Sequence, residues 1–437
     1  MRLADVFGSG MVLQRNKKIC MFGEGDGNGK IEFCGSTVEF TSENGAFRVY
    51  LPEMEAGGPY TMTVTLNGET EILTDILVGD VYIAGGQSNM QVTVAETFDI
   101  SPRDCENVRY FLEGHSGDKY KAGLDYYCKT PWQKATVEAS MDFSAIAFEF
   151  ACQLAERSGV PIGIVSCSQG ASRVDSWTAP EIVEREEYQA LMPEKHYDYE
   201  GYIFNKDCWL YRNKLLHIAH LSVCGVIFYQ GESNTGHAEA KNYGKLFSYM
   251  AEKWRELFDD PELPFYTVQI MPFHVPDSYA NWSDLRAQQE WVSKNVKNTY
   301  LVTMMNTGEG KMIHPRRKKR VGEALANAVM KAKYGENVEY CGPIADSFDE
   351  IEDGIRITFS HADGLHFEGH CPNGMSTYNS AGTPETVNAE IDGNVLTLTW
   401  LKGVKMSCVT MGYENYPHHN LYNSSGYLAS PFKYILK

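Results

Sequence analysis

A serine in a glycine-rich turn is the first residue of this sequence whose type and setting suit covalent chemistry. Residues 85–90 read Gly-Gly-Gln-Ser-Asn-Met, and Ser88 follows an apolar run at residues 81–84. The two glycines allow a sharp turn, so that the serine hydroxyl and a neighbouring backbone N–H can face the same space. Most serines in such turns are turn residues only, so Ser88 needs partners before it can be interpreted as a nucleophile.

Three later segments carry the partners that acyl transfer requires, namely a base for the hydroxyl proton and donors for the developing oxyanion. Residues 167–172 read Cys-Ser-Gln-Gly-Ala-Ser, where Gly170 can offer an unobstructed backbone N–H. Residues 229–234 read Tyr-Gln-Gly-Glu-Ser-Asn, where the Asn234 amide can donate. His314 can accept the proton. Taken singly, Asn234 could equally cap a helix and His314 could be a surface residue.

The elements around these four segments predict that the segments meet. Apolar runs typical of buried strands occupy residues 81–84, 161–166, 226–229, 265–270 and 300–304. Helical periodicity occurs over residues 143–157, 210–223, 241–257, 284–295 and 315–334. Strands that alternate with helices predict a parallel sheet covered by helices on both faces. Reactive residues of such sheets gather at the carboxyl ends of the strands, and all four segments lie at such ends.

The chain on either side of this region has the pattern of all-β structure. Short alternating runs at residues 30–33, 47–51 and 60–66 are separated by glycine-rich turns, and Asn67-Gly68 is a hairpin signal. Similar runs return after residue 338. We therefore predict three units: a β-sandwich-like domain over 1–76, a catalytic domain over 77–337, and a β domain over 338–437. A joint sandwich of the first and last units is an open alternative.

Bulk composition narrows the class of partner. The net charge of −18, from 39 basic and 57 acidic residues, disfavours binding to nucleic acid or to an anionic membrane. No apolar run is long enough to cross a bilayer, and the N-terminus lacks the apolar core of a signal peptide. Eleven cysteines are scattered without a Cys-x-x-Cys pair, a pattern typical of reduced thiols and of a cytoplasmic protein.

The reactive segments resemble the signature blocks of the SGNH hydrolases and, more narrowly, of the sialate O-acetylesterase family of carbohydrate esterases. Residues 86–90, 229–234 and 313–315 carry the resemblance, and weaker similarity extends over nearly the whole chain. The resemblance implies an α/β fold of the SGNH, flavodoxin-like type, with a three-layer parallel-sheet domain flanked by N- and C-terminal all-β segments. It implies no metal and no organic cofactor. The Gly-x-Ser-x-Gly motif of ordinary α/β-hydrolases is absent from the sequence.

The same resemblance assigns roles to individual residues. Ser88 is the nucleophile, and His314 is the general base and later the general acid. The oxyanion is held by the N–H groups of Ser88 and Gly170 and by the Asn234 amide. Three further polar residues are expected to contact the substrate: Gln87, Gln230 and Glu232. Arg286 could either reach the substrate or be buried in polar packing.

One position departs from the family pattern. Many SGNH enzymes carry an acid three residues before the histidine, which holds the imidazole in the useful tautomer. In this chain that position is Lys311, and the nearest upstream carboxylate is Glu309. We hypothesise that Glu309, or a backbone carbonyl near Lys311, orients His314. His217 and His220 lie one helical turn apart, but with no third ligand nearby in sequence they are interpreted as ordinary helix residues rather than as a metal site.

The predicted function is that of a carbohydrate O-acetylesterase, with O-acetylated sialic acid as the first candidate substrate. An acetylxylan or other polysaccharide deacetylase is the main alternative, because the motifs describe the ester and not the sugar. An inactive relative that binds glycans through its β segments is the second alternative. The sequence makes no prediction about the oligomeric state.

Overall fold

Apolar runs and helical periodicities of the sequence become strands and helices in a mixed α/β structure. The computed structural model describes residues 1–113, 131–192, 203–276, 278, 280–369, 371–401, 404 and 406–437. Large sheets form the centre of the structure, and β segments flank the α/β region on both sides of the sequence. The α/β class and the flanking β segments are thus confirmed.

The N-terminal strands are β1 (Arg2–Leu3), β2 (Val12–Gln14), β3 (Ile19–Glu24), β4 (Gly27–Phe33), β5 (Ser36–Ser42), β6 (Ala46–Leu51) and β7 (Gly57–Leu66). Strands β1, β3 and β6 form an antiparallel sheet, and β4 lies between β5 and β7 in another. In β6 the side chains of Phe47, Val49 and Leu51 are buried while their neighbours are exposed. This alternation is what a strand with one face on the core requires.

The central strands are β8 (Glu69–Gly86), β9 (Cys105–Leu112), β10 (Gln133–Ala135), β11 (Ile162–Ser168), β12 (Gly225–Tyr229), β13 (Phe265–Val268) and β14 (Thr299–Val302). They lie in the order β10-β9-β11-β8-β12-β13-β14, and only the edge strand β10 runs antiparallel to its neighbour. Every residue of β8 from Ile76 to Gly86 is buried. Such a continuous buried run is typical of a parallel strand that is covered on both faces.

Strand β8 also joins two regions that the sequence analysis separates. Its first half pairs with β7 and β2, and its second half is the middle of the parallel sheet. The strand therefore passes through the predicted boundary at residue 76. The apolar side chains of the N-terminal strands share one buried cluster with the parallel sheet, and a second cluster lies within the C-terminal segment. The joint sandwich stays an open alternative. The division into three units stays a prediction.

The helices are α1 (Ser88–Gln91), α2 (Val137–Ser140), α3 (Ala145–Ser158), α4 (Pro180–Val183), α5 (Glu186–Ala190), α6 (Trp209–Asn213), α7 (His237–Leu257), α8 (Trp282–Asn295) and α9 (Lys319–Tyr334). Helices α3, α7, α8 and α9 occupy four of the predicted helical segments. Helix α3 begins after Ser144, whose hydroxyl accepts from the Ala147 N–H (3.2 Å), and ends at Gly159 with φ 67°. In the described chain, no helix has the length and apolar character needed to span a bilayer.

The predicted helix over residues 210–223 is wrong. The structure has only the short α6 and a 3-10 turn at Leu215–Ile218 there. The helix is interrupted at Lys214 (φ −131°, ψ −58°), whose ammonium donates to the carbonyl oxygens of Glu113 (3.1 Å) and Ser168 (2.9 Å). The hydrogen bonds of the buried Lys214 side chain to these distant carbonyls therefore interrupt the helix that the local periodicity predicts.

The expectation that the cysteines are all reduced is wrong for one pair. Cys105 on β9 and Cys152 on α3 form a disulfide, with their Cα atoms 6.0 Å apart. The two residues are 47 positions apart in sequence, and they meet because α3 packs against the sheet beside β9. The other cysteines in the described chain are free thiols.

The C-terminal strands are β15 (Ile344–Ile351), β16 (Gly354–Ser360), β17 (His366–Phe367), β18 (Met375–Asn379), β19 (Pro384–Glu385), β20 (Val387–Asp392), β21 (Val395–Trp400), β22 (Met406–Met411), β23 (Leu421–Tyr422) and β24 (Phe432–Ile435). Eight of them form two four-stranded antiparallel sheets, in the orders β15-β16-β21-β20 and β19-β18-β22-β24. These strands enclose a second apolar cluster that includes Ile355, Leu396 and Val409.

Candidate active site

Strands β8, β11 and β12 end at the same level, which places three of the reactive segments side by side. Gly86 at the end of β8 is the register partner of both Ser168 on β11 and Tyr229 on β12. Beyond this level the Gln169 N–H donates to the Gly86 carbonyl (2.9 Å) and the Gln87 N–H donates to the Tyr229 carbonyl (2.8 Å). The segments that follow these strands therefore meet at one edge of the sheet, as the sequence predicts.

Gly86 makes the turn into the Ser88 segment possible. Its φ of 121° is one that residues with a side chain rarely adopt, and an added Cβ would lie 2.1 Å from the Tyr229 carbonyl oxygen. Only glycine therefore allows β8 and β12 to approach so closely at the point where the chain turns. Ser88 follows two residues later, as the first residue of α1.

Replacing Gly86 with alanine is expected to lower the free energy of unfolding by at least about 2 kcal/mol, because backbone strain and a close contact with Tyr229 act together. Chemical denaturation measures this change. Gly45→Ala is the matched control, since Gly45 has a φ of 85° but would place its new Cβ with no atom within 4 Å. Equal denaturation midpoints for the two variants would contradict the contribution of the contact with Tyr229.

The loop between β14 and α9 brings His314 to Ser88. The His314 Nε2 atom lies 2.8 Å from the Ser88 Oγ atom, although the two residues are 226 positions apart. This is the contact that a general base needs in order to take the hydroxyl proton. The start of α9 is held by Asp99, whose carboxylate oxygens accept from the N–H groups of Lys318 and Lys319, both at 3.1 Å.

Glu309 forms two hydrogen bonds within the same loop, one on each side of His314. Its Oε1 atom accepts from the Arg316 N–H (2.9 Å), and its carbonyl accepts from the Met312 N–H (3.1 Å). Its carboxylate thus supports the backbone after His314, and its backbone carbonyl supports the backbone before it. Direct orientation of the imidazole by Glu309 stays a prediction.

Asn234 presents a buried hydrogen-bond donor. Its side chain is fully buried, and its Oδ1 atom accepts from the Val174 N–H (3.0 Å) and from Gln230 Nε2 (2.8 Å). These two bonds fix the orientation of the amide. Among the described residues its Nδ2 atom has no acceptor. A buried donor is destabilising unless it finds an acceptor, so the Asn234 Nδ2 atom is available to a substrate oxygen or a water molecule.

Gly170 lies against the serine. A Cβ atom added to it would be 3.5 Å from the Ser88 Cβ and 2.9 Å from Gln91 Oε1. The absence of a side chain therefore keeps the space beside Ser88 open. The geometry brings together Ser88, His314 and Gly170, and Asn234 lies on the segment that follows β12 at the same edge of the sheet.

Comparison with known proteins matches this chain to a known family. The family described as "Carbohydrate esterase, sialic acid-specific acetylesterase" matches residues 78–331, a range that contains Ser88, Gly170, Asn234 and His314. The chain belongs to this carbohydrate esterase family. The resemblance noted in the sequence is thereby confirmed.

A solved relative and two curated relatives agree with that membership. A carbohydrate acetylesterase from Xanthomonas citri has a TM-score of 0.85 and 26% identity, over 100% of this chain and 99% of that chain. Sialate O-acetylesterases of Rattus norvegicus and Homo sapiens are each 25% identical, over 68% and 69% of this chain. The matches cover 65% and 63% of those two proteins, so this family member spans less than two thirds of their length.

Two predicted substrate contacts of this family member are internal contacts in the structure. Gln87 is 2% exposed and Gln230 is 1% exposed. Gln87 Oε1 accepts from Gln230 Nε2 (3.2 Å) and from the N–H groups of Gly231 and Ser233, both at 3.3 Å. Gln230 Oε1 accepts from the Tyr243 hydroxyl (2.8 Å). Both glutamines hold the Ser88 segment against residues 229–234.

For Arg286 the structure agrees with buried polar packing, the alternative to a substrate contact. Its side chain is fully buried on α8, and its guanidinium donates to four backbone carbonyls. The acceptors are Ile270 (2.9 Å), Met271 (3.1 Å), Glu414 (2.8 Å) and Asn415 (2.9 Å). Two of these belong to the C-terminal segment, so Arg286 joins that segment to the α/β region.

Asn89 and Lys318 are buried site residues that the sequence analysis missed. Asn89 Nδ2 donates to Glu232 Oε1 (2.6 Å) and to the Ile313 carbonyl (3.0 Å), and Asn89 Oδ1 accepts from Lys318 Nζ (2.6 Å). Glu232, predicted to contact substrate, thus binds Asn89 through Oε1. Burial lowers the pKa of Lys318 to about 8 and raises the pKa of Glu232. The basic run at residues 316–320 is typical of a solvated surface, so its sequence carries no signal for the burial of Lys318.

The two histidines considered as metal ligands each face a different carboxylate. His217 Nδ1 lies 3.0 Å from Glu113 Oε1, and His220 Nδ1 lies 2.8 Å from Asp259 Oδ2. Over the part of the chain that the structure describes, no group of three or more His, Cys, Asp or Glu side chains could hold a metal ion.

Proposed function

We propose that the protein is a carbohydrate O-acetylesterase that hydrolyses acetyl esters of sugar hydroxyls, with O-acetylated sialic acid as its preferred substrate. The observation that carries the proposal is the contact between His314 Nε2 and Ser88 Oγ at 2.8 Å. The buried Asn234 amide lies on the segment that follows β12 at the same edge of the sheet. Family membership supports the ester class. The names of the rat and human relatives support the sugar.

The proposed reaction is a two-step acyl transfer. Ser88 Oγ attacks the acetyl carbonyl carbon while His314 takes the hydroxyl proton. The oxyanion accepts hydrogen bonds from the Ser88 N–H, the Gly170 N–H and Asn234 Nδ2. The tetrahedral intermediate expels the sugar oxygen, which takes the proton from His314. Water then attacks the acetyl carbonyl while His314 takes its proton. The second tetrahedral intermediate releases acetate, and Ser88 Oγ takes the proton back from His314.

We further propose the SGNH three-layer arrangement for the α/β region. Gly322 of α9 lies against α3, where an added Cβ would be 2.9 Å from the Ile146 carbonyl oxygen. Gly244 of α7 lies against α8, where an added Cβ would be 2.5 Å from Trp291. Two separate helix pairs are what a parallel sheet covered on both faces requires, and they support this arrangement.

Glu309 is proposed as the residue that orients His314 in place of the acid missing at Lys311. Its support is its bond to the Arg316 N–H at 2.9 Å, which holds the loop two residues beyond the imidazole. The proposed catalytic unit is therefore a Ser88–His314 pair supported by a carboxylate that acts through the loop.

Removing the Asn234 donor is expected to lower kcat by roughly 10²- to 10³-fold, with KM changed only a few-fold, because the donor acts mainly on the oxyanion. Asn234→Asp is the variant of choice, since it keeps the Oδ1 acceptor and replaces Nδ2 with oxygen. Steady-state hydrolysis of an aryl acetate measures the effect. Asn295→Asp, at the exposed end of α8, is the matched control and should retain the wild-type rate. An equal loss in both variants would contradict the assignment.

Covalent trapping tests the proposed nucleophile directly. A serine-directed phosphonate followed by peptide mapping is expected to modify Ser88, and pre-incubation with O-acetylated sialic acid should slow the labelling. Modification at another serine would overturn the proposed site. Failure to turn over an aryl acetate would overturn the enzymatic activity itself.

The identity of the sugar substrate is tested separately, by comparing two acetylated substrates. Acetate release from O-acetylated sialic acid is expected to have a higher kcat/KM than release from acetylated xylan. The reverse order would retain the ester chemistry and assign the protein to polysaccharide deacetylation.

A further inference from the structure

We propose that Lys318 is a positioning residue for His314, acting through a buried hydrogen-bond network of Lys318, Asn89 and Glu232. We call this set the Asn89 network. The inference rests on the proposed function of His314 as the base, and it gives Lys318 and Asn89 a role that neither the family resemblance nor the reaction assigns.

The contacts of Asn89 define the network without ambiguity. Its Oδ1 atom lies 2.6 Å from the Lys318 ammonium, which can only donate. Its Nδ2 atom lies 2.6 Å from Glu232 Oε1 and 3.0 Å from the Ile313 carbonyl oxygen, which both accept. The opposite amide orientation would place an oxygen against two acceptors and a nitrogen against a cation. The positions of the acceptor and the donor within the amide are therefore fixed by its partners.

The network connects the neighbours of the two reactive residues. Asn89 directly follows Ser88, and Ile313 directly precedes His314. The bond from Asn89 to the Ile313 carbonyl thus links the backbone beside the nucleophile to the backbone beside the base. Lys318 holds the amide of Asn89 from one end and Glu232 holds it from the other.

Lys318 is buried among groups that stabilise its ammonium. The side chain is fully buried, and its ammonium lies 5.7 Å from the centre of the Tyr229 ring. Glu232, Glu309 and Asp99 are the carboxylates whose charges favour the ammonium form. A buried ammonium is costly unless carboxylates and hydrogen bonds compensate it. Lys318 has both: three carboxylates favour its charge, and Asn89 accepts its hydrogen bond.

A second restraint on the backbone around His314 would compensate for the missing orienting acid in this chain. The position where many SGNH enzymes carry an orienting acid is occupied here by the exposed Lys311. The imidazole nevertheless lies at hydrogen-bond distance from the Ser88 hydroxyl. The bond from Asn89 to the Ile313 carbonyl restrains the backbone just before His314. The bond between Glu309 and the Arg316 N–H restrains the backbone just after it.

The test compares two adjacent lysines. Lys318→Met keeps the bulk of the side chain and removes the cation, and Lys319→Met is the matched control on an exposed side chain. With rates expressed per site titrated by phosphonate, Lys318→Met is expected to lower kcat for an aryl acetate by roughly 10- to 100-fold, because a misplaced base slows the reaction, while KM changes less than about 3-fold. Lys319→Met should match the wild type. Equal kcat values for the two variants would overturn the proposal, since a purely structural lysine would change only the number of active sites.

Two further measurements separate the network from the proposed function. Amide hydrogen exchange over residues 312–317 is expected to be faster in Lys318→Met than in Lys319→Met, and this readout does not require esterase activity. Unchanged exchange would overturn the network even if the wild type were inactive. Where the wild type hydrolyses acetate esters, the double variant Asn89→Leu/Lys318→Met is expected to lose no more kcat than the worse single variant, because both changes break the same network. Additive losses would contradict the coupling.

Discussion

Replacement of Ser88 by alanine is expected to lower kcat for acetyl ester hydrolysis by roughly 10⁴- to 10⁶-fold. The variant loses the oxygen that lies 2.8 Å from His314 Nε2 and that forms the acetyl-enzyme in the proposed reaction. Gly170 and Asn234 remain in place, so a small residual rate above the uncatalysed reaction is expected. Acetate release from O-acetylated sialic acid and from an aryl acetate measures the loss.

The matched control for this variant is Ser248→Ala. Ser248 lies on α7, and its hydroxyl donates to the Gly244 carbonyl (2.8 Å) away from the reactive segments. Wild-type activity is expected for this control. A Ser88→Ala protein that hydrolyses the aryl acetate as fast as the control would show that another residue is the nucleophile.

Replacement of His314 by alanine is expected to lower kcat by about 10⁴-fold or more, because the Ser88 hydroxyl then loses the base that lies at hydrogen-bond distance. The residual rate should rise with hydroxide concentration, since hydroxide must then remove the proton. A pH series of initial rates measures both effects. Combined with Ser88→Ala, the loss is expected to be far from additive, because the two residues act as one unit.

His366→Ala provides the matched control for the histidine. His366 is an exposed residue of the C-terminal segment, and its Nδ1 atom contacts the Gly364 carbonyl (2.9 Å). Its removal is expected to leave kcat and KM unchanged. Additive losses in the Ser88→Ala/His314→Ala protein would argue that His314 serves some purpose other than activating Ser88.

The meeting of the four reactive segments could be predicted because each segment carries its own local signal. Gly86, Gly170 and the residues around Asn234 follow buried apolar runs, and adjacent parallel strands end at one edge of a sheet. The register that pairs Gly86 with both Ser168 and Tyr229 realises this rule. Knowledge of the family added the assignment of roles, and the structure added the distance between Ser88 and His314.

Helix prediction succeeded where the helix has its own signals and failed where distant groups intervene. The end of α3 is marked by Gly159, and α9 ends at Gly335 with φ 71°. Residues 210–223 have a comparable apolar period, but Lys214 leaves the helical conformation to reach carbonyls of two other segments. No periodicity within the segment indicates where those carbonyls lie.

The sequence by itself determined the chemistry available to this protein: a serine after two glycines, a histidine before the last long helix, and amide donors after buried strands. Only the tertiary structure decided which polar side chains are enclosed. It buried Arg286 among carbonyls, joined Cys105 to Cys152, and placed Lys318 against Asn89. The reason is that the burial and hydrogen-bond partners of a polar side chain depend on groups that are distant in sequence, 229 residues away for Lys318 and Asn89, and that only folding brings together.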